Sequence, residues 1–538
     1  MMAEPRLTNS RNVIIALIFI GLFLYVYGVG DRDLWAPDED EYAQISREMI
    51  RTGNWLYPTC NGIPWTIKPA LYNWLVGALS LPFGDVDEFR ARIFSALAAI
   101  GTILLTCLMG RRAFGIRAGF IGAVALGSSV MFLENGRWAQ TYMLSTFFAT
   151  LAIFMFHRGY NEPEKRTASY LWMCAAAGLG VLTMGPVNLA IPGLVIFVYL
   201  AAMKDLKHIL EMKLVRGTLI FAAIALSWYI PAGLNSEYGS ELLITTNVTR
   251  FLNTWTHNRP IHYYVAGLLW AFLPFSLYMP GAFHLAFTRR SEADRKNLKL
   301  LLVWVIALLV FFSLAQCKRH QYILGLYPGL ALLMGYLGQR ALDGWQEKYF
   351  RRSIVIPALT FAGILLLITV ALPVIGSIQY PEFLEPGIVT SVVTGVFAVL
   401  LFVAWRKDHP AGLIFLPAIF MGALVLLGVH VLIPAMNVYK TPRPFCEEIA
   451  ARLEQGGEWV MYKHYRAAFV YYTDALVEVI ETEPELKAVM ERPVFTMAVI
   501  GTEDHAALED PYLAGLPEIT RKAIGHMDFK LIANREKP

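Results

Sequence analysis

Apolar runs of about 17 to 25 residues, each long enough to cross the hydrocarbon core of a bilayer as a helix, recur along the first four-fifths of this chain. They fall near 13–29, 91–110, 117–134, 141–157, 169–184, 187–203, 216–234, 263–287, 299–315, 321–339, 353–376, 387–405 and 411–435. In lipid every backbone polar group must find its partner within the protein, so such runs fold as helices. Composition agrees: 56% of residues are hydrophobic and 16% charged, against about a quarter charged in soluble domains. The mean hydropathy is +0.48. The expectation is a polytopic membrane protein of about thirteen spans, several interrupted by Pro and Gly. The first run, Val13 to Gly28, follows Arg6 and Arg11 without a small-residue cleavage site and reads as a retained signal anchor.

Lysines and arginines cluster in alternate loops: Arg111, Arg112 and Arg117; Arg158, Lys165 and Arg166; Lys204, Lys207, Lys213 and Arg216; Arg289 to Lys299; Arg340 to Arg352; Arg406 and Lys407. The positive-inside rule makes those loops cytoplasmic and sends 30–90, 235–262 and everything after Pro434 outward. The net charge of +4 is dispersed, which excludes a nucleic-acid tract. The five cysteines show no paired spacing, so neither a disulfide framework nor a zinc knuckle is expected.

The outward segments are the long and chemically varied ones. Residues 30–90 hold an acidic helix from Asp38 to Arg51, turns at Gly53, Asn61, Gly62 and Pro64, and ALYNWLVGALSLPFG, whose length suits an interfacial helix. After Pro434 the pattern turns polar. Strands are expected at 458–462, 475–480, 494–500 and 528–533, and helices at 444–455, 466–472 and 484–491, which make a small α/β domain.

Four carboxylates open the acidic helix in WAPDEDEYAQISREMIRTGNWLYPTCNGIPWTIKPALYNWL. That segment resembles the first outward loop of the bacterial aminoarabinose transferase and protein mannosyltransferase superfamily, the multispanning GT-C glycosyltransferases. Further similarity lies in GRWAQTYMLSTFF (136–148), LTMGPVNLAIPG (182–193), NVTRFLNTWTHNRPIHYY (247–264), CKRHQYILGLYPGLALL (317–333) and the Arg-Pro of KTPRPF (440–445). The resemblance implies a GT-C membrane domain at 1–436 with outward loops 30–90 and 235–262, and a periplasmic α/β domain at 437–538. It also implies a multi-pass protein of the bacterial inner membrane with its active site facing the periplasm.

Enzymes of this kind invert the anomeric centre as they move a sugar from a polyprenyl phosphate to an acceptor, here lipid A, another glycolipid, a glycan or a protein. That chemistry needs a carboxylate for the acceptor hydroxyl and cations for the departing phosphate. The resemblance assigns Asp38 as base with Glu39 beside it. It assigns Lys68 and Arg259 as phosphate clamps, and Tyr42, Arg250, His257, Lys318, Arg319 and Tyr322 as further substrate-binding groups. Blander readings stand beside these. Asp38 to Glu41 would also serve a helix N-terminus electrostatically. Lys68 and Arg259 would also anchor at the membrane surface, Lys318 to His320 would meet headgroups, and Trp35, Trp55, Trp65 and Trp74 suit an interfacial belt.

The chain departs from the superfamily pattern at Glu41, where Arg is common, at Ile67 and Tyr142, where acids are common, and at Met184, where Lys is common. A divalent metal is the one cofactor the resemblance leaves open, and His257 with Asp38 would be a thin coordination set for it. Two other readings remain: a catalytically silent relative that binds a lipid-linked glycan, and, with less support, a transporter of lipid-linked sugar.

Overall fold

The computed structural model describes residues 10–234, 259–288 and 292–535. The chain clusters into two compact units. One gathers the residues up to Val29, Thr66–Tyr72 and Arg92–Gly428; the other gathers Gly30–Trp65, Asn73–Ala91 and Val429–Pro538.

The first unit is helical. Among the described residues seven helices are long and apolar enough to cross a membrane: Glu88–Phe114, Pro163–Met184, Leu214–Gly233, Arg295–Leu314, Lys348–Ile378, Pro381–Arg406 and Pro410–Lys440. Two further spans are bent pairs, Ile116–Gly127 with Val130–Gly136 at 69° and Tyr263–Ala271 with Phe275–Thr288 at 112°. That gives up to nine, where the periodicity predicts about thirteen. The difference lies in the shorter apolar helices Ser10–Val26 and Val187–Met203, in Thr141–Asn161, which is 21 residues long but carries His157 and Arg158 and is less apolar, and in 321–339, whose start winds as the 3₁₀ segment His320–Leu326 before the helix Tyr327–Asp343.

The two breaks repair each other. Pro274 interrupts one helix, and the N–H of Val130, freed at the other break, donates to the carbonyl of Leu273 at 3.0 Å. Broken backbone is tolerated at membrane depth when another buried group satisfies it. Close packing depends on small residues: a Cβ on Gly335 would meet the backbone N of Gly122 at 2.9 Å, and one on Gly122 would meet the carbonyl of Ala331 at 2.8 Å. Helices Ile116–Gly127 and Tyr327–Asp343 therefore approach backbone to backbone, as small-residue stripes allow in membranes.

The second unit combines the long loop with the C-terminal segment. Strands β1 (Thr59–Cys60) and β2 (Ile63–Pro64) form an antiparallel hairpin, and β3 (Glu458–Tyr462), β4 (Glu478–Ile480), β5 (Thr496–Gly501), β6 (Glu518–Ile524) and β7 (Met527–Ala533) form a sheet of order β4-β3-β5-β7-β6. β3 runs parallel to β4 and β5, in register Met461 with Val479 and Val460 with Ala498; β7 runs antiparallel to β5 and β6. Alternation along β5 sends Met497 and Val499 to a core with Phe445, Ile449 and Phe469, and Ala498 and Ile500 to a second core with Leu486, Val489 and Leu513. Both faces are covered, as parallel strands require.

Helix Glu39–Thr52 belongs to this unit and stops at Gly53, whose φ of 70° is a left-handed cap with its N–H on the Met49 carbonyl. Its Glu48 carboxylate accepts from the backbone N–H of Asn61 at 2.6 Å and of Gly62 at 3.1 Å and from Thr59 Oγ1 at 2.6 Å, and so pins the hairpin. Asn61 in turn pairs both ways with the backbone of Val477. The interfacial segment is the helix Leu71–Ser80, which at about 15 Å is too short to span.

Candidate functional site

A cavity of about 130 Å³ opens in the helical unit. Its lining comes from four segments far apart in sequence. Lys68 enters just ahead of helix Leu71–Ser80, Tyr142, Ser145 and Thr146 from the start of helix Thr141–Asn161, and Met184, Pro186 and Val187 from the junction of two helices. Cys317, Gln321 and Tyr322 enter around the 3₁₀ segment. Tyr142, Ser145 and Thr146 are spaced i, i+3, i+4, which puts them on one helix face. The Tyr142 and Tyr322 rings lie 5.9 Å apart at 39°. The Ser145 hydroxyl donates to Asn188 Oδ1 at 3.0 Å and the Thr146 hydroxyl to the Tyr142 carbonyl at 2.9 Å, which leaves oxygen lone pairs at the wall.

Lys68 is half-buried and is the one cation among the described lining residues. The first turns of helices Thr141–Asn161 and Val187–Met203 also reach the wall. Helix N-termini carry a partial positive charge, which with Lys68 makes the electrostatics of this mixed polar and apolar cavity compatible with an anion.

The remaining sequence-derived cations divide. Lys318 is 4% exposed, and its ammonium donates to two backbone carbonyls, of Arg259 at 2.9 Å and of Ala315. It holds the chain turn together. Arg319 is half-buried and its carbonyl accepts from the Tyr264 hydroxyl at 3.2 Å; Arg259 is exposed. Arg250 and His257 lie outside the described residues. Among the described residues no group of three or more His, Cys, Asp and Glu is placed to hold a metal ion.

In the second unit the four carboxylates have different surroundings. Asp38 stands at the N-cap position with φ 85° and ψ −52°, and its side chain makes no capping bond. That is the rare, strained γ-type conformation for a residue with a Cβ. Glu39 is fully buried and pairs with Arg32 at 2.7 Å, a partner that sequence reasoning missed. Asp40 is buried and accepts from the backbone N–H of Ala468 at 2.9 Å, at the start of helix Ala467–Thr473; burial pushes its carboxyl up to about 6. Glu41 is half-buried. Tyr42 is buried against Trp65, ring centroids 5.6 Å apart. Arg443, of the Arg-Pro motif, pairs with Asp33 at 3.0 Å and Glu88 at 3.7 Å.

Among the lining residues that sequence reasoning missed are Ser145, Thr146 and Gln321, with Tyr142 and Met184 noted there only as departures. All five sit inside the quoted motifs, and helical spacing from Tyr142 was the available signal for two of them.

Comparison with known proteins places this architecture. The fold is that of the GT-C membrane proteins: the crystal structure of ArnT from Cupriavidus metallidurans bound to undecaprenyl phosphate superposes with a TM-score of 0.82 over 98% of this chain and 99% of that one, at 20% identity. Residues 67–230 match the dolichyl-phosphate-mannose-protein mannosyltransferase family. An uncharacterized protein of Aquifex aeolicus is 30% identical over 58% of this chain and 61% of its own length. The undecaprenyl phosphate-alpha-4-amino-4-deoxy-L-arabinose arabinosyl transferase of Aeromonas salmonicida is 30% identical over 62% of each. The chain thus spans about three-fifths of the length of these two relatives. By its fold and its apolar helices it is a multi-pass membrane protein, similar over part of its length to aminoarabinose transferases and to the protein mannosyltransferase family.

Proposed function

We propose that the protein is an inverting glycosyltransferase. It would take a sugar from a polyprenyl phosphate, of undecaprenyl type, and pass it to a lipid A, glycolipid, glycan or protein acceptor at the periplasmic face of the inner membrane. The observation that carries this reading is the cavity. Four of the segments that resemble the superfamily converge on one pocket holding a single described cation and two helix N-termini. The lipid-anchored phosphodiester of the donor, and the phosphate monoester that departs when the sugar leaves it, both suit that electrostatics. Lys68 acts as phosphate clamp, with Tyr322 as a hydroxyl donor beside it. Asp38 serves as the base that accepts the acceptor's proton. Its strained backbone supports that role, because strain of this kind concentrates at functional positions. Glu39, ion-paired to Arg32, holds the turn that presents Asp38. Lys318 supports the cavity wall through the carbonyls it binds.

Asp38→Asn keeps the shape and removes the base, and should lower transfer from undecaprenyl-phosphate sugar by at least about a hundredfold. Lys68→Met should raise the half-saturating donor concentration by about tenfold or more. Wild-type turnover in both variants would sink the assignment.

The neutral residues Tyr142 and Met184 on the cavity wall favour one other reading, a relative that binds lipid-linked glycan without transferring it. Donor binding by the native protein without any transfer product would select it.

A further inference from the structure

We propose that the groove between helices Val187–Met203 and Arg295–Leu314 is a site for an anionic glycerophospholipid, with its phosphate on Lys296 and Lys299 and one acyl chain in the groove. The site shares no described lining residue with the candidate cavity and stands whether or not that cavity holds a donor.

The groove encloses about 560 Å³. Lys299, Val303, Ile306 and Val310 are spaced i, i+4, i+7 and i+11, which puts them on one face of helix Arg295–Leu314. Leu194 and Val198 of helix Val187–Met203 supply the other wall. Ile306 and Val310 are exposed, so the groove opens sideways to the bilayer. From Lys299 to Val310 the helix rises about 16 Å, near the half-thickness of a hydrocarbon core, about 15 Å. An acyl chain of one leaflet covers that length, and Leu314 carries the groove about one turn further.

The two ends of the groove differ in charge. Lys299 is the one charged residue among the described lining residues, and Lys296 lies a turn before it on the same face, in the first turn of the helix. The Lys299 ammonium donates to the carbonyl of Ala202 at 2.7 Å, which fixes it across the end of the groove and leaves two of its protons for an anion. The helix N-terminus adds partial positive charge. The carboxylates nearby are engaged elsewhere. Glu292 pairs with Arg295 at 3.4 Å, Asp294 accepts from the Tyr336 hydroxyl at 2.9 Å, and Asp205 accepts from the Tyr160 hydroxyl at 2.9 Å. A phosphodiester is met there by two ammonium groups, and the cation of a choline headgroup by no carboxylate among the described lining residues. The positive-inside rule makes this the cytoplasmic end. Each lysine at a membrane surface strengthens the hold on an anionic lipid by roughly fivefold.

The test is native mass spectrometry of the full chain in detergent, titrated with phosphatidylglycerol or with phosphatidylcholine of the same acyl chains. The first phosphatidylglycerol should bind about tenfold or more tighter than the first phosphatidylcholine. Lys296→Gln with Lys299→Gln should bring the two within about threefold, whereas Arg406→Gln with Lys407→Gln, in another basic loop, should leave the preference intact. Ala307→Trp fills the groove and should weaken the first binding of either lipid by about fivefold or more; it decides the matter if the double lysine variant does not fold. Equal affinity of the native protein for the two lipids overturns the inference. So does a preference that survives the loss of both lysines, one that vanishes equally with Arg406 and Lys407, or unchanged binding by Ala307→Trp. Displacement of phosphatidylglycerol by undecaprenyl phosphate, one for one, overturns it too and makes the groove the seat of a prenyl tail.

Discussion

Asp40 shows how one carboxylate of a legible motif can serve the fold rather than chemistry. Burial raises its pKa from 3.8 to about 6, so the folded state holds its proton more tightly than the unfolded chain does. Stability from this group is therefore fully present below pH 3.8 and falls as pH rises toward 6. At neutral pH the ionised side chain costs about 3 kcal/mol. Asp40→Asn keeps an oxygen for the Ala468 N–H and removes the charge. It should raise the unfolding midpoint at pH 7.5 and leave it nearly unchanged at pH 4, as read by thermal melts in detergent. A loss at both values would mean that the amide cannot replace the carboxyl. Lys68 and Tyr322, both named from the sequence, line the cavity. Lys318 looked equivalent in sequence, yet backbone carbonyls occupy its ammonium. Nothing in a string of residues records which lysine reaches a carbonyl first.

At the scale of elements, apolar periodicity located the apolar helices, though not which of them are spans, and four of the C-terminal strands, because these report burial. It did not find the two sharp bends, since a break in lipid depends on whether a distant carbonyl meets the freed N–H, as Leu273 meets Val130. It also missed β6. EITRKAI is polar and lies at the sheet edge, where a strand needs no apolar face to pair with β7. Small residues at the crossing of Ile116–Gly127 and Tyr327–Asp343 carry a clear expectation. Gly335→Val places side-chain carbon against the backbone of the facing helix, so the helices must separate at a cost of about 1–3 kcal/mol. A lowered melting temperature with unchanged donor affinity in the surviving folded fraction is the expected result. An unaltered melt would show that the helices part without loss.

For the whole molecule, the sequence divides into a membrane part and a polar C-terminal part, but the compact units divide differently. Residues 30–65 and 73–91 cluster with the C-terminal segment. The Arg47 guanidinium lies 3.7 Å over the Tyr471 ring and its Nε donates to Asp85 at 2.6 Å, Asp40 caps helix Ala467–Thr473, and Asn61 pairs with Val477. A fragment of 437–538 alone should therefore exchange its amide hydrogens at 467–473 at least about tenfold faster than the full chain. Equal protection would show that the segment folds without the loop. By itself the sequence determined the solvent, the helical class and the α/β character of the C-terminus, because hydrophobic periodicity is a local record of what each element must bury. Only the tertiary structure decided which of the four carboxylates are buried and paired, which lysine is left to line a cavity, and which loop completes which unit. Each of those depends on partners hundreds of residues away, and a local pattern holds no information about them.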